Sequence, residues 1–248
     1  MKLTVLGCWG AYPHKGEGTT SFLLQSEGFN LLLDAGSATL IELEKVLSPL
    51  ALDAVILSHY HPDHVADLGV LQHYWQLFPK QAGEERPVYP VYGHGEDTEN
   101  FARLTMPNVS QGYDYLTEET LELGPFSITF MKTIHPVVCY AMRFEEKSTG
   151  KVFVFTGDSG YMEGFLEFTK DADLFLADTY LFAGNEKHFA HFTSKEAGEI
   201  SLATGVKKLV LTHLPQFGDL EQLRQEASDA AQGQVPVELA AVGKVFDI

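Results

Sequence analysis

Three histidines and an aspartate fall within six residues of this chain: His59, His61, Asp63 and His64 stand in "LSHYHPDHVADL", directly after the apolar run "LDAVIL". Imidazole nitrogen and carboxylate oxygen are donors that zinc takes together. Side chains two apart in an extended segment point the same way, so His59 and His61 can face one ion. Asp63 and His64 follow at the start of a predicted helix and can face a second. A single histidine on a polar loop would carry no weight, since such residues gather there by chance. Three more candidates, however, close apolar runs: His135 ends "FSITFMKTIH", Asp158 ends "KVFVFTGD" and His213 ends "KKLVLTH". In open α/β sheets the carboxyl ends of strands form the rim where ligands bind. The spacing therefore predicts a two-metal site on one such rim.

The elements that must hold these residues can be read from apolar periodicity. "KLTVLG" reads as a strand, and "SFLLQSEGFNLLLDAG" as a hairpin turning at Ser26-Glu27-Gly28. "ATLIELEKVL" has helical spacing, "DAVILS" is a buried strand, and "DHVADLGVLQHYWQLF" is one long helix ending before Pro79. "PVYPVYG" is strand-like and "EDTENFARLT" helical. Three successive strands follow in "FSITFMKTIH", "VCYAMRFEE" and "KVFVFTGDS", then a short helix in "YMEGFLEFTK" and a strand in "ADLFLADTY". "TSKEAGEISLAT" is a helix with Thr193 as N-cap and Glu196 three residues on, a capping-box pattern. "VKKLVLTH" is a strand, "LEQLRQEASDAA" a helix, and "VPVELAAVGKVFDI" a closing hairpin. Strands come first in pairs and then alternate with helices, twice over. That order predicts two stacked sheets with helices outside. With no Pro/Gly/Ser-rich linker between the halves, residues 1–248 are expected to form one domain.

Bulk properties narrow the chemistry. The chain has 17 Lys+Arg against 34 Asp+Glu, a formal net charge of −17, and its longest basic run is Lys207-Lys208. A protein that grips a long polyanion usually carries a basic stripe, and this sequence has none. An anionic substrate would need a local positive centre to offset the field of the whole molecule. The two cysteines, Cys8 and Cys139, make no disulfide framework and are expected to be buried as small apolar groups in a reducing compartment. No apolar run approaches the length of a membrane span and "MKLTVLGCWG" lacks the features of a secretory signal, so a cytoplasmic protein without a membrane partner is expected.

From "LTVLGCWGAYP" to "LTHLP" the chain resembles the metallo-β-lactamase superfamily, and its motif set is similar to the ribonuclease Z-like phosphodiesterase branch. The resemblance implies a four-layer αββα sandwich of the metallo-β-lactamase type. It implies two Zn²⁺ per chain, with Mn²⁺ the alternative. His59, His61 and His135 would hold the first, Asp63, His64 and His213 the second, and Asp158 would bridge them. His61 stands where the flavo-diiron branch has Glu, which favours zinc over iron. Asp34 in "LLLDAG" matches an acidic position beside the metal loop and would accept from a ligand histidine; its local alternative is to cap the turn through Gly36. "AHFTS" resembles the histidine motif of the branch, with His191 just before a helix N-terminus. Asp178 in "LFLADTY" resembles the acidic position that orients this histidine. Asp63 and His191 are the implied catalytic residues. His188 receives no role, and His14, His73 and His94 are expected to be structural.

One departure from that branch bears on the substrate. Ribonuclease Z carries a tRNA-clamping arm between its third and fourth motifs, whereas here one hairpin joins His135 to Asp158. The leading expectation is a di-zinc phosphodiesterase acting on a small cyclic or nucleotide-like phosphodiester, or on a short nucleic acid. The alternatives are a tRNA 3′-processing endonuclease and a lactone or thioester hydrolase. A non-catalytic metal-binding protein ranks last, since the ligand set is complete. The helix after the metal loop, with Leu71, Tyr74, Trp75 and Phe78, could form a homodimer face or pack into the core.

Overall fold

Apolar runs become strands throughout. In chain order they are β1 (Lys2–Gly7), β2 (Ser21–Ser26), β3 (Phe29–Leu33), β4 (Ala54–Ile56), β5 (Tyr89–Gly93), β6 (Ser110–Asp114) and β7 (Leu121–Leu123). They continue as β8 (Phe126–Lys132), β9 (Tyr140–Glu146), β10 (Val152–Phe155), β11 (Leu174–Asp178), β12 (Leu209–Thr212), β13 (Val237–Leu239) and β14 (Val245–Asp247). The helices are α1 (Thr39–Leu43), α2 (Pro62–Val65), α3 (Leu68–Leu77), α4 (Thr98–Ala102), α5 (Phe165–Phe168), α6 (Ser194–Thr204) and α7 (Leu220–Ala230). The structure, a computed structural model, describes residues 1–80, 85–117 and 119–248.

The strands form two seven-stranded sheets, ordered β14-β1-β2-β3-β4-β5-β6 and β13-β12-β11-β10-β9-β8-β7. Each sheet repeats one plan. Antiparallel hairpins come first, β1 to β3 and β7 to β10, and parallel strands follow, β4 to β6 and β11 to β13. The β2–β3 turn is the predicted one: Ser26 pairs with Phe29, and Glu27 and Gly28 have φ of 50° and 83°. A two-residue turn that matches strand twist needs positive φ at both central positions, which Gly28 takes at no steric cost.

The sheets stack with their apolar faces inward. Phe22 of β2 meets Phe155 of β10 edge-on, with ring centroids 5.7 Å apart, and both are fully buried. All residues of β4, β10 and β12 are buried, as strands covered on both faces must be. On the outer face of the first sheet, Leu32 and Val55 pack with Leu43 of α1 and Leu71 and Trp75 of α3. On the second sheet, α6 and α7 pack against each other and against β12 and β13. The result is an αββα sandwich, as expected. The predicted capping box is present, with Glu196 N–H on the Thr193 hydroxyl and Thr193 N–H on the Glu196 carboxylate. Among the described residues no helix is long and apolar enough to cross a membrane.

Three expectations about elements are corrected. The long helix after the histidine cluster is two helices, broken at Ala66 and Asp67. Asp67 sends its carboxylate to the Leu40 N–H at the start of α1, 2.9 Å away, and so ties that helix to the metal loop. The last two strands are not a hairpin: β13 joins β12 in one sheet and β14 joins β1 in the other. Two edge strands, β6 and β7, were not predicted; the first alternates buried and exposed polar residues and the second is three residues long. On the helix considered as a homodimer face or a core element, Leu71 and Trp75 are buried in the core while Phe78 is 42% exposed.

Candidate metal centre

Every candidate lies at one end of the sheets. Asp34 follows β3, His59 and His61 follow β4, His135 follows β8, Asp158 follows β10, Asp178 ends β11 and His213 follows β12. In the first group, His59 Nε2 and His135 Nε2 face His61 Nδ1 at 3.2 and 3.0 Å. Asp158 Oδ2 lies 3.7 Å from His59 Nε2 and 3.8 Å from His135 Nε2. In the second group, Asp63 Oδ2 is 3.5 Å from His64 Nε2 and 3.1 Å from His213 Nε2. Asp158 reaches the same two nitrogens, 3.3 Å to each. Asp158 thus stands between both groups.

The rear atoms of the rings decide which nitrogen is free. His135 Nδ1 lies 3.0 Å from the Ala190 carbonyl, which can only accept, so that nitrogen carries the proton and Nε2 presents a lone pair. His64 Nδ1 likewise donates to Asp34 Oδ2 at 2.8 Å. Ser58 donates its hydroxyl to the same Asp34 oxygen at 2.8 Å, and its own oxygen can then accept from His59 Nδ1, 3.0 Å away. Asp34 therefore backs one ring of each group, directly and through Ser58. It also accepts the Ser58 N–H at 2.7 Å. The Asp34 carboxylate thus accepts from Ser58 and His64.

Electrostatics agree with a cation site. Burial holds His59, His61 and His135 below the ordinary histidine range, so their lone pairs are available. Burial would raise Asp63 and Asp158, but His64 and His213 beside them hold both carboxyls below the usual range. Burial would lower His213, yet Asp158 and Asp178 push it up to about 10. Negative charge that draws protons onto buried imidazoles draws a dication more strongly. His64 Nε2 and Asp158 Oδ1 are buried and face each other at 3.3 Å without forming a well-aligned hydrogen bond. Such atoms cost free energy unless something satisfies them. The spacings of 3.0–3.3 Å among the closest donor pairs match the edge of a zinc tetrahedron, roughly 3.3 Å for bonds of about 2.0–2.1 Å. The residues present fit two metal ions.

His191 sits beside this centre. Its Nδ1 lies 2.8 Å from Asp178 Oδ2, and its ring stacks on that of His213 with centroids 5.1 Å apart. Burial opposes protonation of His191, but Asp178 outweighs it and raises the pKa. Asp178 also accepts the Ser159 and Tyr180 N–H groups and lies 3.4 Å from His213 Nδ1. The sequence reading missed Ser58, Ala190, Ser159 and Ala11, whose N–H donates to Asp63 Oδ2 at 2.8 Å. Backbone donors and acceptors leave no mark in residue type, and only Ser58, adjacent to His59, could have been suspected. Gly10 was also missed: a Cβ there would lie 2.6 Å from His213 Nδ1, so only glycine lets that loop pass. Cys139 is buried as expected, but its thiol is 3.6 Å from His59 Nδ1 and accepts the Asp158 N–H, so it forms part of the inner wall. His14, His73 and His94 lie away from the centre: His14 packs on Trp9, His73 bonds the Gly69 carbonyl, and His94 packs between Tyr60 and Tyr140. His188 lines the cleft.

The profile of the metallo-beta-lactamase superfamily matches residues 14–213. The chain belongs to that superfamily. Among relatives of the superfamily, a probable metallo-hydrolase of Bacillus subtilis, YhfI, is 44% identical, with 96% of each chain covered. The crystal structure of the metallo-beta-lactamase fold protein YhfI superposes with a TM-score of 0.93 at 41% identity, covering 99% of this chain and 98% of that one. A ribonuclease Z of Gemmatimonas aurantiaca is 28% identical over 98% of this chain and 97% of its own. The ribonuclease Z-like branch read from the motifs is thereby supported. As a metallo-beta-lactamase superfamily member of this branch, the chain is a metal-dependent hydrolase.

Proposed function

We propose that the protein is a di-zinc phosphodiesterase acting on a small or nucleotide-like phosphodiester. The observation that carries this reading is the sharing of Asp158 by two imidazole groups, with the His191–Asp178 pair alongside. His59, His61, His135 and Asp158 would hold one ion, and Asp63, His64, His213 and Asp158 the other. Two zinc ions there would supply Lewis acidity toward phosphoryl oxygens and an activated water. The protein's own groups do the rest. Asp34, Ser58 and the Ala190 carbonyl fix ring orientation. His191, protonated with help from Asp178, gives a proton to the departing oxygen. Between His135 and Asp158 the chain makes only a loop, β9, a turn and β10, and among the described residues no Lys or Arg lines the cleft, which favours a small substrate over tRNA.

Elemental analysis of protein purified without chelator and supplied with zinc is expected to find two metal ions per chain. A stoichiometry of one or less would overturn the two-metal reading. Turnover of bis(4-nitrophenyl) phosphate, set against a lactone and a precursor tRNA, tests the reaction class.

Asp34 allows a separate test. Because it braces His64 directly and His59 through Ser58, Asp34→Ala is expected to weaken retention of both ions by about 10–100-fold. Competition with a calibrated chelator measures this. Loss confined to one ion would show that the link through Ser58 does not operate.

A further inference from the structure

We propose that His188 and Phe189 form a recognition tip that binds the phosphate and the planar group of the substrate, which makes the preferred substrate a nucleobase-bearing ester. This inference rests on the phosphodiesterase reading. The cleft has a volume of about 330 Å³ and takes one small molecule. His61, Asp63, His135 and His191 line it together with His188 and the exposed Phe189.

The backbone of the tip is fixed. A Cβ on Gly160 would lie 2.1 Å from the His188 carbonyl oxygen, so the segment lies directly against that glycine. The Ala190 carbonyl holds His135 Nδ1, and the Ala190 N–H donates to His188 Nδ1 at 3.2 Å. With Nδ1 accepting, the ring proton of His188 lies on Nε2. His188 runs nearly parallel to His191, at 13° with centroids 6.1 Å apart. It therefore adds a second imidazole donor next to the one placed at the reaction. With no Lys or Arg among the described lining residues, these rings are side-chain donors available to a substrate oxygen.

Phe189 is 66% exposed, and its ring packs on His188 with centroids 4.5 Å apart. Among the described lining residues Phe189 is the one Phe, Tyr or Trp, and further aromatic rings adjoin the histidines of the cleft. Tyr180 packs on both His191 and His213, and Phe217, 53% exposed, packs on Tyr180. Tyr12, 52% exposed, is the neighbour of cleft-lining Ala11, and its carbonyl is held by Gln216. In a protein of net charge −17, flat apolar faces offer a way to select the uncharged end of an anionic molecule. Base-on-aromatic stacking does this and tolerates any base.

The test titrates the zinc-loaded protein calorimetrically with adenosine 5′-monophosphate and with ribose 5-phosphate, which carries a hydroxyl in place of the base. The wild type is expected to bind the adenine compound about tenfold more tightly. Phe189→Ala should erase that difference without changing ribose 5-phosphate binding, and Phe189→Trp should restore it. His188→Ala should weaken both ligands equally, by about tenfold. His188→Gln, which keeps an N–H near the Nε2 position, should recover most of that loss. An unchanged preference in Phe189→Ala overturns the stacking role, and unchanged affinity in His188→Ala overturns the donor role. If the wild type binds neither ligand, the phosphodiesterase reading falls with both; if it binds both equally, the stacking role of Phe189 falls.

Discussion

Asp158→Ala is expected to reduce phosphodiester turnover to background and to leave at most one firmly held metal ion per chain. The side chain lies within 3.3–3.8 Å of His59, His64, His135 and His213, and among the described residues no other carboxylate is shared by both groups. Two dications brought close together repel, and a shared carboxylate offsets that repulsion. The loss should exceed the about 10²–10³-fold that removing one transition-state hydrogen-bond donor costs. The fold should survive, because Asp158 lies beyond the end of β10 and its backbone anchors remain, the N–H on Cys139 Sγ and the carbonyl accepting from Thr133. Metal analysis, thermal unfolding and turnover on one preparation separate these effects. A variant that keeps both ions and normal turnover would remove Asp158 from its proposed role.

His191→Ala is expected to keep both ions and the fold while losing about 10²–10⁴-fold in turnover. The deficit should shrink for esters with a more acidic leaving group, which need less protonation. The pH profile supplies an independent readout. In the proposed role the acid form of His191 is the active one, and Asp178 raises its pKa, so activity should fall as pH rises through that raised value. Asp178→Asn removes the raising charge and should move this falling limb to lower pH. The alternative outcome is specific: Asp158, Asp178, His191 and His213 offer ligand atoms all within 4.8 Å of one another. A His191→Ala protein that sheds metal would therefore make His191 a ligand and overturn its assignment as a proton donor.

The rim was legible because each candidate ends an apolar run, so strand period and residue type coincide at the point where the chain turns toward solvent. The doubled sheet plan was legible for the same reason. The braces behind the rings were not, since the Ala190 carbonyl and the Ala11 N–H are backbone groups that any sequence supplies. The break at Ala66 and Asp67 escaped notice because apolar spacing continues across it, and only the contact with Leu40, distant in sequence, reveals why Asp67 stands there. His188 and Phe189 look like loop residues until Gly160 and His135 are seen to fix the backbone around them. The final strands misled for a related reason: a short segment between two apolar runs suggests a hairpin, whereas the pairing partners are more than 200 residues apart for β14 and about 30 for β13.

That divided destination has a kinetic consequence. Lys2 pairs with Asp247, so one sheet cannot be completed until nearly the whole chain is available. Contacts so distant in sequence slow folding, because a long loop must close before the pairing rewards it. Until then β1 and β12 each present an uncovered edge of N–H and C=O groups, which is a template for joining another chain. The closing segment thus acts as a late clasp on both sheets, and the interval before it docks is when the nascent protein is most exposed to aggregation.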